Sequence, residues 1–404
     1  MSIAENHGGL YANLKLLRET NGQAECNLFK AMNLDYIYVD KGNDIASLIE
    51  AFEKVKDTKK AVVVHINTLK GKGYAPAEQN KEKWHWHMPF DIATGESLFK
   101  DGEPDFSDAS LEYLLKKMDE DKSVVAITAG TPTVMGFTAD MRAKAGKQFV
   151  DVGIAEETAV ALASGIAANG GKPVFIQRTY DQITQDVCIN GNAVTFAVFA
   201  GSVYGMNDVT HLGLQDIPML NSIPGLVYLA PVTKEDYIAM LDWSLTQNAY
   251  PVAIKVPGGS MISTGMPVTK DFGTLNKYEI TKKGNTVAIL GLGTFYENAV
   301  KAAEILKASH GIDATAINPY YISGIDADTL NELKKDHTIV ATLEDGYLEG
   351  GFGAKIAAFY GSSDMKVLNF GIKKEFIDRY DVSEVLKDNH LTPEQIAEDI
   401  AATL

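Results

Sequence analysis

The sequence has little of what a secreted or membrane protein needs. Its 404 residues include only two cysteines, Cys26 and Cys188, which leaves room for one disulfide at most. No apolar run approaches the roughly 20 residues that span a bilayer. The first residues have neither the basic nor the apolar region of a signal peptide. We therefore expect no membrane partner and a cytoplasmic location, where thiols stay reduced.

Positive charge is also scarce. The 37 Lys and Arg residues stand against 53 Asp and Glu residues, so the formal net charge is −16. Proteins bind a nucleic-acid backbone through Lys and Arg, so this balance argues against a nucleic-acid partner. A hydrophobic content of 46% with only 13 prolines is that of an ordinary globular protein.

What the sequence does contain is a series of short, continuous apolar runs separated by helical patterns. Such runs are typical of strands that are buried on both faces of a parallel sheet. The segments between them are long enough for crossover helices, so the predicted fold class is α/β with parallel sheets. The predicted strands are Ala61–Ile66, Val124–Thr128, Val194–Phe199, Leu226–Ala230, Val252–Val256, Val287–Leu290, Ala314–Ile317 and Ile339–Leu343.

Two stretches that are rich in turn-forming residues predict linkers, Phe90–Ser107 and Gly258–Gly273. They divide the chain into an N-terminal piece of residues 1–103, a central domain of residues 104–265 and a C-terminal domain of residues 275–404. Because the two larger segments each alternate strands and helices, both are predicted to be α/β domains.

The N-terminal piece offers one clear strand, Ala61–Ile66, and one clear helix, Asp44–Val55. A single strand cannot make a sheet, and a lone βα unit leaves its apolar faces bare. We expect this piece to be the tail of a larger domain or to pack on another structure.

The most informative segment is Asp151–Glu157, which lies between a short apolar run and an Ala-rich helix predicted over Thr158–Ala168. Glu156 would then lie at the mouth of a parallel sheet, partly shielded from water. Burial raises the pKa of a carboxyl group, which can then share a proton with a ring nitrogen. The alternative is an acidic residue that the dipole favours at a helix N-terminus.

Alternating Gly and Lys residues follow the predicted strand that ends at Ile66. In Thr68–Tyr74, backbone N–H groups and Lys70 could approach an anion closely. The spacing is not that of a phosphate-binding P-loop. The alternative is a plain turn.

Two histidines alternate with tryptophans in Trp84–His87, which is predicted to be extended, so that His85 and His87 share one face. No further ligand at useful spacing completes a metal site. The segment is either an amphipathic stretch with buried tryptophans or a pocket wall that lends an imidazole to a substrate.

Asn207–His211 follows the predicted strand Val194–Phe199 and a glycine-containing loop. Loops at the carboxyl ends of parallel strands are where α/β proteins bind ligands, so His211 is a candidate that could face Glu156. A structural histidine is the alternative.

Two further charged segments are open to interpretation. Arg178 begins a helical stretch that is predicted to reach Ile189, and it could bind a phosphate or pair with Asp181. Glu344-Asp345 ends another strand without a nearby histidine or metal ligand, so we interpret it as structural.

Together these segments resemble the thiamine-diphosphate-dependent transketolase superfamily, and within it the branch of 1-deoxy-D-xylulose-5-phosphate synthases. The resemblance is carried by residues 1–10, 68–78, 151–157 and 178–187, in the order and spacing of that family. It implies the tail of a diphosphate-binding domain, then a pyrimidine-binding domain and a transketolase C-terminal domain.

The resemblance assigns roles to the candidate residues. Glu156 matches the carboxyl that hydrogen-bonds N1′ of the cofactor's aminopyrimidine, and Tyr74 matches a cofactor contact. His85 and His211 match histidines of the substrate channel that transfer protons, and Lys70 becomes a candidate anion contact. The cofactors are then thiamine diphosphate and Mg²⁺, and the substrates are pyruvate and glyceraldehyde 3-phosphate. The product serves isoprenoid, thiamine and pyridoxal synthesis.

The sequence departs from the family pattern in four places. It begins at Met1, which follows the family's Gly-Asp-Gly…Asn metal motif, so only a backbone carbonyl of the metal site is present. Relatives carry a longer passage before the position of Arg178, and an aromatic ring in it packs on the cofactor's pyrimidine. In this sequence Phe175 would have to take the place of that ring. The positions at which the family has arginines that bind substrate phosphate fall near Ala200 and Gly258, and this sequence has no arginine there. The fourth departure is in single residues: Asn207 stands where the family usually has Asp, and Glu157-Thr158 replace a Gln-His pair.

The leading hypothesis is therefore the catalytic portion of such a synthase. It would act as a homodimer or in a complex with a chain that supplies the N-terminal segment. Two alternatives stay open at this point. One is a β-type subunit of a 2-oxoacid dehydrogenase, and the other is a degenerate family member without catalytic activity.

Overall fold

The computed structural model describes residues 9–85, 89–98, 105–174, 179–199, 201–259 and 261–404. Phe175, Arg178 and Met1 lie outside these ranges. The chain forms two compact units, Met1–Gly102 and Glu103–Leu404. Within the described ranges, no helix combines the length and apolar character that a bilayer crossing requires.

The first unit contains a parallel sheet of two strands, β1 (Asp35–Val39) and β2 (Val62–Ile66), with Asp35 opposite Val62. The prediction of a single strand was wrong. Asp-Tyr-Ile-Tyr-Val has no continuous apolar run, and the strand forms because its tyrosines pack on the neighbouring strand. The Tyr36 hydroxyl lies 2.7 Å from His65 Nδ1 across the pair. The helices of this unit are Gly9–Glu19, Leu28–Ala31, Ile45–Val55 and Ala75–Gln79.

The second unit begins with a six-stranded sheet. Its strands are β3 (Val124–Thr128), β4 (Phe149–Asp151), β5 (Lys172–Val174), β6 (Thr195–Phe199), β7 (Val227–Leu229) and β8 (Val252–Val256). They lie in the order β4-β3-β5-β6-β8-β7, and every pair is parallel. The central strand β5 has only three residues, and Pro173 in it cannot donate a ladder hydrogen bond.

The connections of this sheet are mostly helical. The helix Lys234–Thr246 begins with a reciprocal capping box between Thr233 and Asp236. The predicted helical stretch to Ile189 starts as one α-helical turn and widens into a π-helix. The helices are Phe106–Glu120, Ala139–Ala145, Glu156–Ala168, Tyr180–Gln182, Asp216–Asn221 and Lys234–Thr246, with 3-10 turns at Pro132–Met135, Gly146–Gln148 and Val209–His211 and the π-helix at Ile183–Cys188.

The rest of the second unit is built on a five-stranded sheet. Its strands are β9 (Glu279–Lys282), β10 (Thr286–Gly291), β11 (Thr315–Asn318), β12 (His337–Tyr347) and β13 (Lys366–Ile372). They lie in the order β13-β12-β10-β11-β9. The edge strand β9 runs antiparallel to β11, and the other pairs are parallel. The helices are Tyr296–Ile305, Ala327–Leu333, Phe352–Tyr360, Val382–Asp388 and Pro393–Ala401, with a 3-10 turn at Gly293–Phe295 and a π-helix at Leu306–His310.

The last helix is capped by Thr392, whose hydroxyl accepts a hydrogen bond from the Gln395 N–H at 3.3 Å. The capping box is only half formed. The Gln395 side chain accepts from the Thr392 hydroxyl at 3.1 Å and donates to the Lys387 carbonyl, but it does not accept from the Thr392 N–H.

Backbone hydrogen bonds connect the two sheets of the second unit. The Ala230 N–H donates to the Tyr320 carbonyl at 2.8 Å, and the Ile322 N–H donates to the Tyr228 carbonyl at 2.7 Å. One buried apolar cluster contains side chains from both sheets, among them Phe196 and Leu290. The carboxyl end of β7 is therefore fixed against the segment that follows β11.

Candidate active site

The carboxyl ends of β3 and β4 are tied together by one carboxylate. Asp151 Oδ1 accepts hydrogen bonds from the Gly130 N–H at 2.9 Å and from the Gly153 N–H at 2.8 Å. Both glycines have left-handed backbones, with φ of +84° and +74°. A Cβ atom on Gly130 would lie only 3.1 Å from Ile154 Cγ1, so the two loops touch. This arrangement fixes the chain immediately before Glu156.

Glu156 is the first residue of the helix Glu156–Ala168 and is half-buried. The preceding Ala155 has no side-chain cap, so the first N–H groups of the helix favour a carboxylate here. Among the described residues, none donates a hydrogen bond to the Glu156 carboxylate. The predicted position at a sheet mouth is observed, and the carboxyl group is available to a ligand.

Phe175 and Arg178, which were predicted as cofactor contacts, lie outside the residues that the structure describes. Thr179 directly follows and is buried, and its hydroxyl has no hydrogen-bond partner among the described residues. Such an orphaned hydroxyl is uncommon in a protein interior. The next helical turns include the π-helix Ile183–Cys188, and π-helices are frequent at functional sites.

His211 ends the 3-10 turn Val209–His211 at the end of the loop that follows β6, and its side chain is half exposed. The Thr210 hydroxyl lies 2.8 Å from His211 Nδ1, and the Asp208 carboxylate accepts hydrogen bonds from the Thr210 N–H and hydroxyl. The hydrogen bond from the Thr210 hydroxyl is the main interaction that lowers the pKa of Asp208, so this carboxylate stays ionised at neutral pH. The chain Asp208–Thr210–His211 orients the ring.

A segment far away in sequence holds the loop that carries His211. The Arg379 N–H donates to the Asn207 carbonyl at 2.6 Å, and the Val209 N–H donates to Asp378 Oδ1 at 3.0 Å. The Tyr380 hydroxyl adds a hydrogen bond to the Val203 carbonyl at 2.9 Å. Sequence reasoning missed these residues, because they follow β13 and carry no motif.

A buried polar cluster lies under the same loop. Asp345 accepts from the Ser202 hydroxyl at 2.6 Å and from the Val203 N–H at 2.7 Å. Nearby, Lys255 and Asp216 form a buried ion pair of 2.8 Å. Burial is the main cause of the raised pKa of Asp345. These contacts anchor the loop, in agreement with the structural interpretation of this acidic pair.

Glu344, the other member of the acidic pair, is fully buried and caps a helix. Its carboxylate accepts from the Phe352 N–H at 2.7 Å and the Gly353 N–H at 2.8 Å. Burial raises its pKa to about 7, against the opposing effect of these two hydrogen bonds. Burial also lowers the pKa of the nearby Lys355 to about 8.

The first unit brings its three predicted site residues into one loop cluster. Lys70 Nζ contacts His85 Nδ1, while the Tyr74 ring packs edge-on against Trp84 with the ring centroids 5.0 Å apart. Burial and then the Lys70 charge lower the pKa of His85, which favours the neutral imidazole. The predicted extended conformation was wrong for Trp84 and His85, which lie in turns. The other two residues of this motif, Trp86 and His87, lie outside the described residues.

Metal ligands do not converge in the part of the chain that the structure describes, where no three His, Cys, Asp or Glu side chains form a group suited to an ion. Cys26 and Cys188 are both free thiols and do not form a disulfide with each other.

Comparison with known proteins identifies two domains. The model of the transketolase pyrimidine-binding domain matches residues 102–260, and that of the transketolase C-terminal domain matches residues 276–396. Both fall within the second unit.

Curated relatives are similar over most of the chain. The 1-deoxy-D-xylulose-5-phosphate synthase of Clostridium acetobutylicum is 36% identical over 382 residues, which are 92% of this chain and 61% of that protein. The synthase of a Synechococcus species is 34% identical over 414 residues, which are 99% of this chain and 63% of that protein. The chain therefore spans less than two thirds of these relatives' length.

Solved structures share the fold at low sequence identity. A protein described as a split-gene transketolase in an inactive beta4 tetramer has a TM-score of 0.62 at 21% identity, covering 75% of this chain and 99% of that one. Transketolase from Leishmania mexicana has a TM-score of 0.59 at 13% identity, covering 74% of this chain and 45% of that one. The predicted parallel-sheet, transketolase-like fold is confirmed.

Proposed function

Because this chain belongs to the transketolase family, we propose that it supplies the pyrimidine-facing half of a thiamine-diphosphate site. The reaction would be the condensation of pyruvate with glyceraldehyde 3-phosphate, with release of CO₂, to 1-deoxy-D-xylulose 5-phosphate. The names and identities of the curated relatives support this reaction. They give no support to a 2-oxoacid dehydrogenase subunit.

The geometry of Glu156 carries the proposal. A half-buried carboxylate that stands at the start of a helix, without a described donor, can accept a hydrogen bond from a heterocyclic ring nitrogen. Asp151 holds the preceding loop through two N–H groups, so the carboxylate is positioned before a ligand arrives. The buried Thr179 hydroxyl, which has no partner among the described residues, adds a polar group to the same domain. These residues fit an aminopyrimidine.

When bound, thiamine diphosphate supplies the electron sink on which a 2-oxo acid loses CO₂. This chain's own residues would do the rest of the work. Glu156 would hold a proton at the ring nitrogen. His211, oriented through Thr210, and His85, kept neutral beside Lys70, would move protons at the substrate, and Lys70 would attract its phosphate.

The diphosphate and its Mg²⁺ need oxygen ligands beyond those of the described residues. We propose that the N-terminal part of a diphosphate-binding domain supplies them, in a longer chain or as a partner polypeptide, and that the active form is dimeric. The inactive beta4 assembly of the split-gene transketolase, which this chain resembles in fold, is consistent with a second component. The alternative to this proposal is a degenerate family member without catalytic activity, and reconstitution with the second component distinguishes the two.

The test is reconstitution with the upstream part of the Clostridium acetobutylicum synthase as the added component. We expect the mixture to bind thiamine diphosphate with Mg²⁺ by calorimetry and to release CO₂ from pyruvate when glyceraldehyde 3-phosphate is present. Micromolar cofactor binding by this chain alone would contradict the need for a second component. Absence of both signals from a stable complex would favour the degenerate member.

The proton-holding role is tested by Glu156→Gln in the reconstituted complex. We expect turnover to fall at least about 100-fold, because the amide cannot share a proton with the ring. The matched control is Glu157→Gln, at an exposed neighbour in the same helical turn, which should leave turnover within about twofold. Full turnover by Glu156→Gln would remove the role.

A further inference from the structure

A cavity of about 440 Å³ opens at the carboxyl ends of β7 and β11 in the second unit. Its wall consists of residues that end or follow these strands, the start of the helix Tyr296–Ile305, part of β9 and residues 264–270. Ligands of α/β proteins bind outside the carboxyl ends of strands, and cavities of roughly 300–1,000 Å³ hold small molecules. Neither Glu156 nor His211 lines this cavity, so it is separate from the proposed thiamine site.

The wall contains a buried amide group with an unused donor. Asn318 is only 3% exposed. Its side-chain oxygen accepts a hydrogen bond from the Tyr320 N–H at 3.1 Å, but its side-chain nitrogen has no hydrogen-bond partner among the described residues. Buried donors are normally paired. Because Asn318 lines the cavity, its amide is placed to donate to a bound acceptor.

An ammonium group lies on the same part of the wall. Lys270 Nζ donates to the Lys277 carbonyl at 2.7 Å and lies 4.8 Å from the centre of the Tyr320 ring. An ammonium has three donors, so donors remain for a ligand. Tyr320 contacts Lys270 through its ring and Asn318 through its N–H, which brings the two donors together. An ammonium beside an amide N–H₂ suits a carboxylate.

Two carboxylates complete the polar part of the wall. Asp236 is 6% exposed, and its Oδ2 accepts two backbone N–H groups at 3.2 and 3.1 Å, which leaves Oδ1 able to accept from a ligand. Glu279 accepts from the Tyr320 hydroxyl at 2.8 Å through Oε2 alone. Both carboxylates interact electrostatically with Lys270, so they face the same space. A protonated amine suits this pair.

Tyr320 holds the polar groups in place. Its backbone is left-handed, with φ of +57°, which a bulky side chain rarely adopts. The Tyr320 carbonyl accepts from the Ala230 N–H at 2.8 Å, and this bond between the two sheets helps to hold the conformation. Strain of this kind is often found at ligand clamps. The ring therefore stands between the ammonium of Lys270 and the carboxylate of Glu279.

We propose that this cavity binds a small zwitterion, an α-amino acid with an apolar side chain. Its carboxylate would contact Lys270 and Asn318, and its amine would contact Asp236 and Glu279. The apolar side chain would lie against Val232, Met266 and Val268, which also line the cavity. A phosphate or a dicarboxylate would meet two carboxylates with only one ammonium to pair with, and an uncharged polyol would leave the charged groups unpaired. The inference does not depend on the proposed function.

The experiment titrates this chain with L-valine, L-leucine and L-methionine by calorimetry. Two compounds are the matched halves of leucine: 3-methylbutylamine lacks the carboxylate, and 4-methylpentanoate lacks the amine. We expect at least one amino acid to bind with a Kd below about 1 mM. Leucine should bind at least about tenfold more tightly than either half, because each half leaves one set of charged groups without a partner. Glycerol, an uncharged polyol, should give no binding heat.

Substitutions of single charges test which groups bind the ligand. Lys270→Gln should weaken leucine and 4-methylpentanoate at least about tenfold and leave 3-methylbutylamine within about twofold. Glu279→Gln should have the opposite selectivity and weaken leucine and the amine. The matched control is Lys283→Gln, at an exposed lysine between β9 and β10 that does not line the cavity, and it should bind leucine as the native chain does.

A stability measurement separates loss of binding from loss of folding. Urea unfolding without ligand should show a folded second unit in every variant, since neither Lys270 nor Glu279 belongs to an apolar cluster. Leucine at 10 times its Kd should raise the unfolding midpoint of the native chain and of Lys283→Gln but not that of Lys270→Gln.

Three outcomes would overturn the proposal. One is that none of the three amino acids binds at about 10 mM, which would mean that the cavity holds only water. Another is that 3-methylbutylamine or 4-methylpentanoate binds as tightly as leucine, since the site would then not recognise a zwitterion. The last is an unchanged leucine affinity in both Lys270→Gln and Glu279→Gln, which would place the bound ligand elsewhere.

Discussion

The two units of this chain are built to different degrees of completion. The second unit has two full sheets, and its three apolar clusters include centrally buried side chains such as Ile289 and Phe196. Among the residues that the structure describes, the first unit has two strands and four buried apolar side chains, and its helix Ile45–Val55 exposes Ile45, Ile49 and Phe52. The difference teaches that regular helices and strands can form locally although the described residues around them bury few apolar side chains.

The largest expected effect contrasts one isoleucine from each unit. Ile289 is fully buried in β10, whereas Ile49 is 58% exposed. Ile289→Ala should lower the free energy of unfolding of the second unit by about 2–5 kcal/mol, because it leaves a cavity in a packed sheet. Ile49→Ala should change stability by no more than about 0.5 kcal/mol. Urea unfolding followed by circular dichroism measures both, and equal effects would break the comparison.

An intermediate effect concerns pH and is confined to the second unit. Burial raises the pKa of Glu344 from 4.5 to about 7, so the folded state binds more protons than the unfolded state between these values. The second unit should therefore lose stability as pH rises from about 5 to 7, by up to about 1.4 kcal/mol per pH unit. Above pH 7 the effect should level off.

The matched variant for the pH effect is Glu344→Gln, measured by urea unfolding at pH 5, 6 and 7. It cannot ionise, so the slope should become shallower even if the variant is less stable at every pH. Burial also raises the pKa of Asp345, so part of the pH dependence should remain in this variant. An unchanged slope would show that Glu344 does not titrate in this range.

The smallest expected effect tests a helix cap in the complete unit. The Thr233 hydroxyl accepts from the Asp236 N–H at 3.1 Å, and Asp236 accepts from the Thr233 N–H. Thr233→Ala should cost about 1 kcal/mol of unfolding free energy. Thr133→Ala, at an exposed threonine in a 3-10 turn, serves as the control. A loss no larger than that of the control would mean that the box contributes nothing to stability.

Much of the second unit could be read from the sequence. Continuous apolar runs predicted Val124–Thr128 and Val252–Val256 with the bounds that the structure gives. The short strand Phe149–Asp151 and the antiparallel edge strand Glu279–Lys282 were not predicted. Three residues are too few for a periodic signal, and the exposed edge strand has no apolar run.

The candidate site was predictable where a motif marks it and not where distant segments meet. Glu156 and His211 stood out by their place after apolar strands, and their catalytic roles stay predictions. The contacts of Asp378, Arg379 and Tyr380 with the His211 loop join residues about 170 positions apart. No local pattern encodes such a contact.

The sequence by itself determined the α/β class, most strands of the second unit and the positions of Glu156 and His211, because apolar runs and strand–loop order are local properties. Only the tertiary structure decided what surrounds them. It showed that Asp151 ties two loops, that Asp345 anchors the loop leading to His211, and that Ile45, Ile49 and Phe52 are exposed. Burial and hydrogen-bond partners depend on segments that are far apart in the chain, so they exist only after folding has brought those segments together.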